Sequence, residues 1–217
     1  MLISLEGIDG VGKTSICNAL SQMDTLAPSV TVISKRRYYG SSTYVRSAAS
    51  KLHEVLWALG DTTDLPVDFW IHLQLSWYNL IAKDIEYFKY SNELYILDGW
   101  FYKFVGRLAG SDKKYQAAFA CFDSLPQPDL VLLLQCDPAT VYDRREFSDT
   151  EKGLHDDKQH QLSLSSFVDY QMRTFEYLHS QFQRFDHWRL VDLNDLDLDA
   201  SVKKVAGEIT VAARARR

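Results

Sequence analysis

Cysteine is scarce in this chain. Cys17, Cys121 and Cys136 stand far apart without metal-ligand spacing, which excludes a zinc finger or ribbon and a disulfide scaffold. They read as free thiols of a reducing compartment. Positive charge is not in excess either: 24 Lys and Arg against 29 Asp and Glu give a formal net charge of -5. That balance argues against nucleic acid as a partner, since such binders usually carry a basic face. The longest apolar run near the middle, 130–134, is far too short to span a bilayer, so no membrane contact is expected. Glu6 interrupts the apolar opening, so no secretory signal is read there and the expected location is cytoplasmic. Internal repeats and low-complexity tracts are absent.

What is present suits one α/β domain over 1–217, with 46% hydrophobic residues to build its core. Five short apolar runs, 2–5, 30–34, 94–97, 130–135 and 189–193, read as strands buried on both faces of a parallel sheet. Helical periodicity fills the intervals at 13–23, 43–59, 67–90, 113–124, 164–184 and 199–213, and Pro138 fits the first turn of another helix. Alternating strands and helices with long crossovers predict a doubly wound sheet. Residues 59–66 and 147–161 are polar and lack an apolar period, so they read as connections.

Between the first strand and the first helix lies G-I-D-G-V-G-K-T, Gly7 to Thr14. It matches G-x-x-x-x-G-K-[ST] in the strand–loop–helix context that this pattern requires, and it predicts a P-loop NTPase fold. Backbone N–H groups of Gly10, Val11, Gly12, Lys13, Thr14 and Ser15 would cradle the phosphates of ATP at the helix N-terminus. Lys13 can reach the β and γ phosphates, and the Thr14 hydroxyl can ligate Mg²⁺. No guanine-reading N-K-x-D occurs, because N-D-L-D at 194–197 lacks the lysine, so a GTPase is disfavoured. A small-molecule kinase fits a chain of this size.

E-G-I-D-G-V-G-K-T, Glu6 to Thr14, resembles the opening of the thymidylate kinases. The resemblance implies that Asp9 faces the acceptor's sugar hydroxyl. R-Y-Y-G-S-S-T, Arg37 to Thr43, has the spacing of the family's R-F-P-x-x-S-T segment, which gives Arg37, or Arg36 in its stead, the acceptor phosphate. P-D-L-V-L-L-L-Q-C-D-P, Pro128 to Pro138, is similar to the family's P-D-L strand and D-P turn. D-R-R, Asp143 to Arg145, opens a stretch similar to the lid, at about 144–161. Arg144 and Arg145 either stack on adenine or brace the moving phosphoryl group, or they are exposed helix-end charges. Asp192 and Asn194 fall where the family packs adenine. A lid excludes water from the transfer. The family often forms a homodimer through its helices.

The departures concern the acceptor. L-Y-I-L-D-G-W, Leu94 to Trp100, aligns with a strand that in the family ends in D-R-Y or D-R-H. Asp98 remains, as a candidate base or an organiser of Mg²⁺ with Thr14. Gly99 stands in place of the arginine that clamps the acceptor phosphate, and 69–82 contains no arginine. Arg37, Lys103 or Arg107 would have to supply the missing charge. Otherwise the acceptor is uncharged or cationic, and Trp77, Tyr78, Trp100 and Tyr102 line its pocket or simply pack the core. The expected reaction is phosphoryl transfer from ATP to dTMP or a related nucleotide. The alternatives are a nucleoside or another unphosphorylated metabolite as acceptor, or an ATP-binding regulator without catalysis.

Overall fold

The computed structural model describes residues 1–23, 26, 30–34, 42–58, 66–88, 93–109, 119–144 and 163–215. The five apolar runs do form strands: β1 (Leu2–Gly7), β2 (Val30–Ile33), β3 (Leu94–Leu97), β4 (Leu130–Gln135) and β5 (Trp188–Asp192). They pair in parallel in the order β2-β3-β1-β4-β5, with Ile3 opposite Ile96 and Glu6 opposite Leu133. Their C-terminal ends therefore share one edge, the edge where open α/β sheets bind ligands.

Alternation along each strand divides the core in two. Ile3, Leu5, Ile96, Leu132 and Leu134 face one side. There they meet Ile16, Cys17 and Leu20 of α1 (Lys13–Leu20) and Val205 and Ile209 of the last helix. Tyr95, Leu97, Val131 and Leu133 face the other side and an aromatic layer that includes Trp77, Tyr78, Trp100, Phe101 and Phe122. Ser4 and Glu6 share that second face with Leu2 and are fully buried in it. A carboxyl group thus sits at the centre of the sheet.

After β2, α2 (Thr43–His53) starts at Ser42, whose side chain accepts from Val45 N, and runs into a π-helical turn, Glu54–Ala58. The long helix α3 (Val67–Phe88) follows, and Trp77 sits edge-on to Trp57 at 4.9 Å. After β3 comes α4 (Tyr102–Ala109), which is not among the helices expected from the sequence although it is strongly amphipathic, with Tyr102, Phe104, Val105 and Leu108 on its buried side. The helix expected over 113–124 is seen as α5 (Phe119–Asp123), and the remainder of that interval up to 118 lies outside the described residues. α6 (Pro138–Asp143) is capped by Asp137, with proline in its first turn as expected. α7 (Leu164–Arg184) begins with a capping box at Ser163 and Ser166, and α8 (Leu198–Ala215) closes the described chain. Among the described residues no helix is long and apolar enough to cross a membrane. The lid expected over 144–161 lies outside the described residues except for Arg144.

Candidate active site

The loop after β1 turns through positive φ at Gly10 and Gly12 and delivers the chain into α1 with no side-chain cap at its N-terminus. The first-turn N–H groups of α1 are therefore left for an anion. Gly10, Thr14 and Ser15 are exposed on this edge, while Val11 anchors the loop in the core. Lys13 folds back over the loop and donates to Gly7 O at 2.9 Å and Ile8 O at 2.7 Å. Burial and the neighbouring Lys103 push its pKa down to about 7, against the pull of Asp9, Asp98 and Glu6.

The turn after β3 stands beside this loop. The Thr14 hydroxyl donates to Asp98 Oδ2 at 2.7 Å, which joins the two expected metal-side oxygens. Gly99 follows with φ 81, a left-handed conformation that a side chain disfavours, and a Cβ built there meets nothing within 4 Å. Trp100 then dives into the core, and its N–H donates to Glu6 Oε1 at 2.6 Å, an oxygen that also accepts from the Ser4 hydroxyl at 2.7 Å. Glu6 Oε2 is buried without a partner. Burial raises the Glu6 pKa, opposed by those hydrogen bonds and by Lys13 and Lys103.

Asp9 is bound on both oxygens. Lys103 Nζ stands 2.6 Å from Oδ1, Arg107 pairs with Oδ2, and Gln171 Nε2 donates to Oδ2 at 3.1 Å. Gln171 also accepts from the Asp9 N–H at 3.0 Å. Lys103 and Arg107 are four residues apart on α4, hence on one face of it. Burial would raise the Asp9 pKa, but Arg107, Lys103 and Lys13 outweigh it and hold the carboxyl well below its usual range.

A cavity of about 40 Å³ opens between these parts, walled by Lys13, Ile33, Ser34, Trp77, Tyr78, Ile81, Leu97, Asp98, Gly99, Trp100 and Lys103. It is far smaller than the roughly 300 Å³ of sites that enclose a small ligand, so the described walls could enclose only the end of one. Trp77, Tyr78 and Trp100 serve both as wall and as core, each at most 6% exposed. Tyr78 donates to Trp100 O at 3.3 Å and meets its ring edge-on at 5.2 Å.

Tyr102 does not line the cavity. It starts α4 one position before Lys103, so it faces the core, where it donates to Gln127 and packs against Trp188 at 4.9 Å. Arg107 lies one turn farther along α4 than Lys103 and off the cavity wall, over the Tyr170 ring at 5.7 Å. Lys103, weighed in the sequence only as a substitute cation, is the α4 residue that reaches the cavity. Gln171 gave no sequence signal, because a polar residue on a long amphipathic helix reads as solvated surface.

Farther along the edge, Arg144 lines an open recess with Asp195, Leu196, Asp197 and Leu198. Asn194 lies beside that recess but is engaged internally, accepting from Asp137 N at 2.8 Å and donating to Asp192 Oδ1 at 2.8 Å. Arg36, Arg37 and Arg145 lie outside the described residues. Among the described residues no three His, Cys, Asp or Glu side chains gather as a metal site. A magnesium ion beside Thr14 and Asp98 would therefore take most of its ligands from phosphates and water, as this ion usually does.

No protein-family profile matches the chain. Thymidylate kinases of Xanthomonas campestris pv. campestris, from strains B100 and 8004 among others, are 32% identical to it over 146 residues. The match covers 64% of this chain and 58% of theirs, so it spans less than two thirds of these relatives. Among solved structures, thymidylate kinase from Candida albicans superposes with a TM-score of 0.69 at 18% identity, over 97% of this chain and 91% of that one. Deoxyadenosine kinase from M. mycoides, solved with dCMP and dCDP, gives a TM-score of 0.57 at 14% identity, over 97% and 100% of the two chains. At such identities the likeness concerns the backbone. A parallel sheet in the order β2-β3-β1-β4-β5, a phosphate loop after its central strand and these two superpositions together give the chain the fold of the P-loop kinases.

Proposed function

We propose that the chain is an ATP-dependent phosphotransferase of the thymidylate kinase group, acting on dTMP or a related nucleotide. The observation that carries this reading is the 2.7 Å bond between Thr14 and Asp98. It couples the phosphate loop to the strand end that faces the acceptor cavity, where a phosphoryl donor and a hydroxyl or phosphate acceptor have to meet. In this reading the loop amides of 10–15 hold the triphosphate, and Lys13 leaves the carbonyls of Gly7 and Ile8 to contact its terminal oxygens. Thr14 and Asp98 hold Mg²⁺, which supplies charge neutralisation of the phosphates when bound. Asp9 orients the acceptor hydroxyl, and Asp98 also assists its deprotonation. Arg144 lies in the recess suited to the adenine end, and Arg37 and Arg145 retain the charge-stabilising roles that the family resemblance implies.

A second reading keeps the donor half and changes the acceptor to an unphosphorylated hydroxyl compound. Gly99 favours it, since the position offers open space and no cation at the cavity's mouth. ADP release with Mg-ATP, measured across nucleosides, nucleoside monophosphates and unphosphorylated metabolites, separates the two. Turnover on dTMP or another monophosphate supports the first. Turnover on neutral compounds alone overturns it, and ATP binding without any turnover overturns both.

A further inference from the structure

Lys103 occupies a position that the donor half of the reaction does not require. Its ammonium holds Asp9 Oδ1 at 2.6 Å, yet its side chain is 17% exposed and forms part of the cavity wall together with Lys13, Asp98 and Gly99. An ammonium has three donors, and Asp9 engages one of them. Asp9 does not depend on Lys103 alone, because Arg107 and Gln171 both hold its other oxygen. Arg107 is braced separately, over the Tyr170 ring. Lys103 can thus turn from Asp9 toward the cavity without leaving a buried carboxylate unpaired.

The charges around the cavity leave room for an anion. On its wall stand two basic side chains, Lys13 and Lys103, against one carboxylate, Asp98. Glu6 is not part of that wall; its carboxyl is buried and accepts from the Ser4 hydroxyl and the Trp100 N–H. Lys13 and Lys103 are two ammonium groups on one small cavity, a repulsive arrangement that an anion between them relieves.

We propose that Lys103 is the residue that receives the anionic group of the acceptor, a phosphate or a carboxylate, supplying from α4 the charge that Gly99 does not, while Arg107 keeps Asp9 paired. Lys103 is then the specificity-determining contact and Arg107 a positioning residue. The inference rests on the phosphotransferase reading and narrows its acceptor to anionic compounds.

The test is calorimetric titration of the full chain, saturated with Mg-ADP, with the four deoxynucleoside monophosphates, their nucleosides and a 5'-carboxylate analogue of thymidine. The monophosphate that binds should exceed its nucleoside in affinity by about 10- to 100-fold, the range for a hydrogen bond to a charged group. Lys103→Met should reduce that margin to within about threefold, and Lys103→Arg should restore part of it. Arg107→Met should also shrink the margin, since Lys103 would then be tied to Asp9. A merely structural Arg107 would lower the Tm and leave the margin intact. A carboxylate analogue that matches the monophosphate identifies a carboxylate as the anion; a weaker one identifies phosphate. The proposal is overturned if nucleoside and monophosphate bind equally, if Lys103→Met keeps the margin, or if no acceptor of the panel binds although Mg-ADP does. Failure of Mg-ADP itself to bind the unmodified chain overturns the phosphotransferase reading, and this inference with it.

Discussion

Lys103 and Asp9 are 94 residues apart in the chain, and their charged atoms lie 2.6 Å apart in the structure. This contact, with the Arg107 pair beside it, makes the phosphate loop and α4 one electrostatic unit. Asp9→Asn should therefore destabilise the fold by about 2 kcal/mol at neutral pH, because two half-buried cations lose their counterion. Asp9 is held below its unfolded pKa, so its stabilisation is present above about pH 4 and is lost as pH falls further. Urea unfolding of both proteins between neutral and acid pH should show their difference shrinking toward the acid end. A difference constant with pH would contradict the ion-pair account.

Glu6 makes the opposite prediction. Its folded pKa is raised, so it contributes least as pH rises through that folded value. Glu6→Gln keeps an oxygen for the Trp100 N–H and removes the titration, so thermal stability should hold or improve at alkaline pH. Glu6→Ala leaves that buried N–H and the Ser4 hydroxyl without an acceptor and should cost about 2 kcal/mol. Equal behaviour of the two variants would mean that the hydrogen bonds do not matter.

Triphosphate binding should be linked to protons through Lys13. With a pKa of about 7 in the unliganded loop, the ammonium is partly neutral under mildly alkaline conditions. Phosphate oxygens would favour its charged form, so Mg-ATP binding should take up protons and weaken as pH rises above neutrality. Calorimetry in buffers of different ionisation enthalpy reads this directly, and zero proton uptake at pH 8 would refute it.

Asp98→Asn isolates charge from geometry, because an amide oxygen still accepts from the Thr14 hydroxyl. Unfolding stability should stay within about 0.5 kcal/mol, whereas kcat should fall by about 100-fold or more. An unchanged kcat would remove Asp98 from the reaction.

Two glycines near the site respond differently to alanine. At Gly99 nothing crowds a new Cβ, and only φ 81 opposes it, so Gly99→Ala should cost about 1 kcal/mol. At Gly106 a Cβ would stand 2.9 Å from Tyr177 Cδ1, so the Tyr177 ring or α4 itself must shift. Because α4 carries Lys103 and Arg107, Gly106→Ala should weaken acceptor binding as well as stability, a pairing that kinetic and thermal measurements can check together.

The central strands β1, β3 and β4 were legible in the sequence because they are buried on both faces, and such runs are mostly apolar, as Leu130 to Leu134 illustrates, whereas the edge strands β2 and β5 are only partly buried. The phosphate loop was legible because its glycine and lysine spacing reflects backbone geometry set within eight consecutive residues, Gly7 to Thr14. Pro138 likewise marked its helix through a property of its own ring. These are local causes, and one stretch of chain contains them.

The acceptor side has no such local cause. Helix α4 carries Gly106 in its middle, where a Cβ would crowd the Tyr177 ring. Tyr102 and Lys103 are neighbours in the chain, yet the helix turns one to the core and the other to the cavity. From the sequence Asp9 is expected, by resemblance, to face an acceptor hydroxyl, and its pairing with Lys103, Arg107 and Gln171 appears only when α4 and α7 are packed against the loop. Sequence alone determined the sheet, the phosphate cradle and the Asp98 strand end. Tertiary structure decided which charges meet, because pairing across 94 and 162 residues depends on how the helices dock and leaves no periodic trace in the chain.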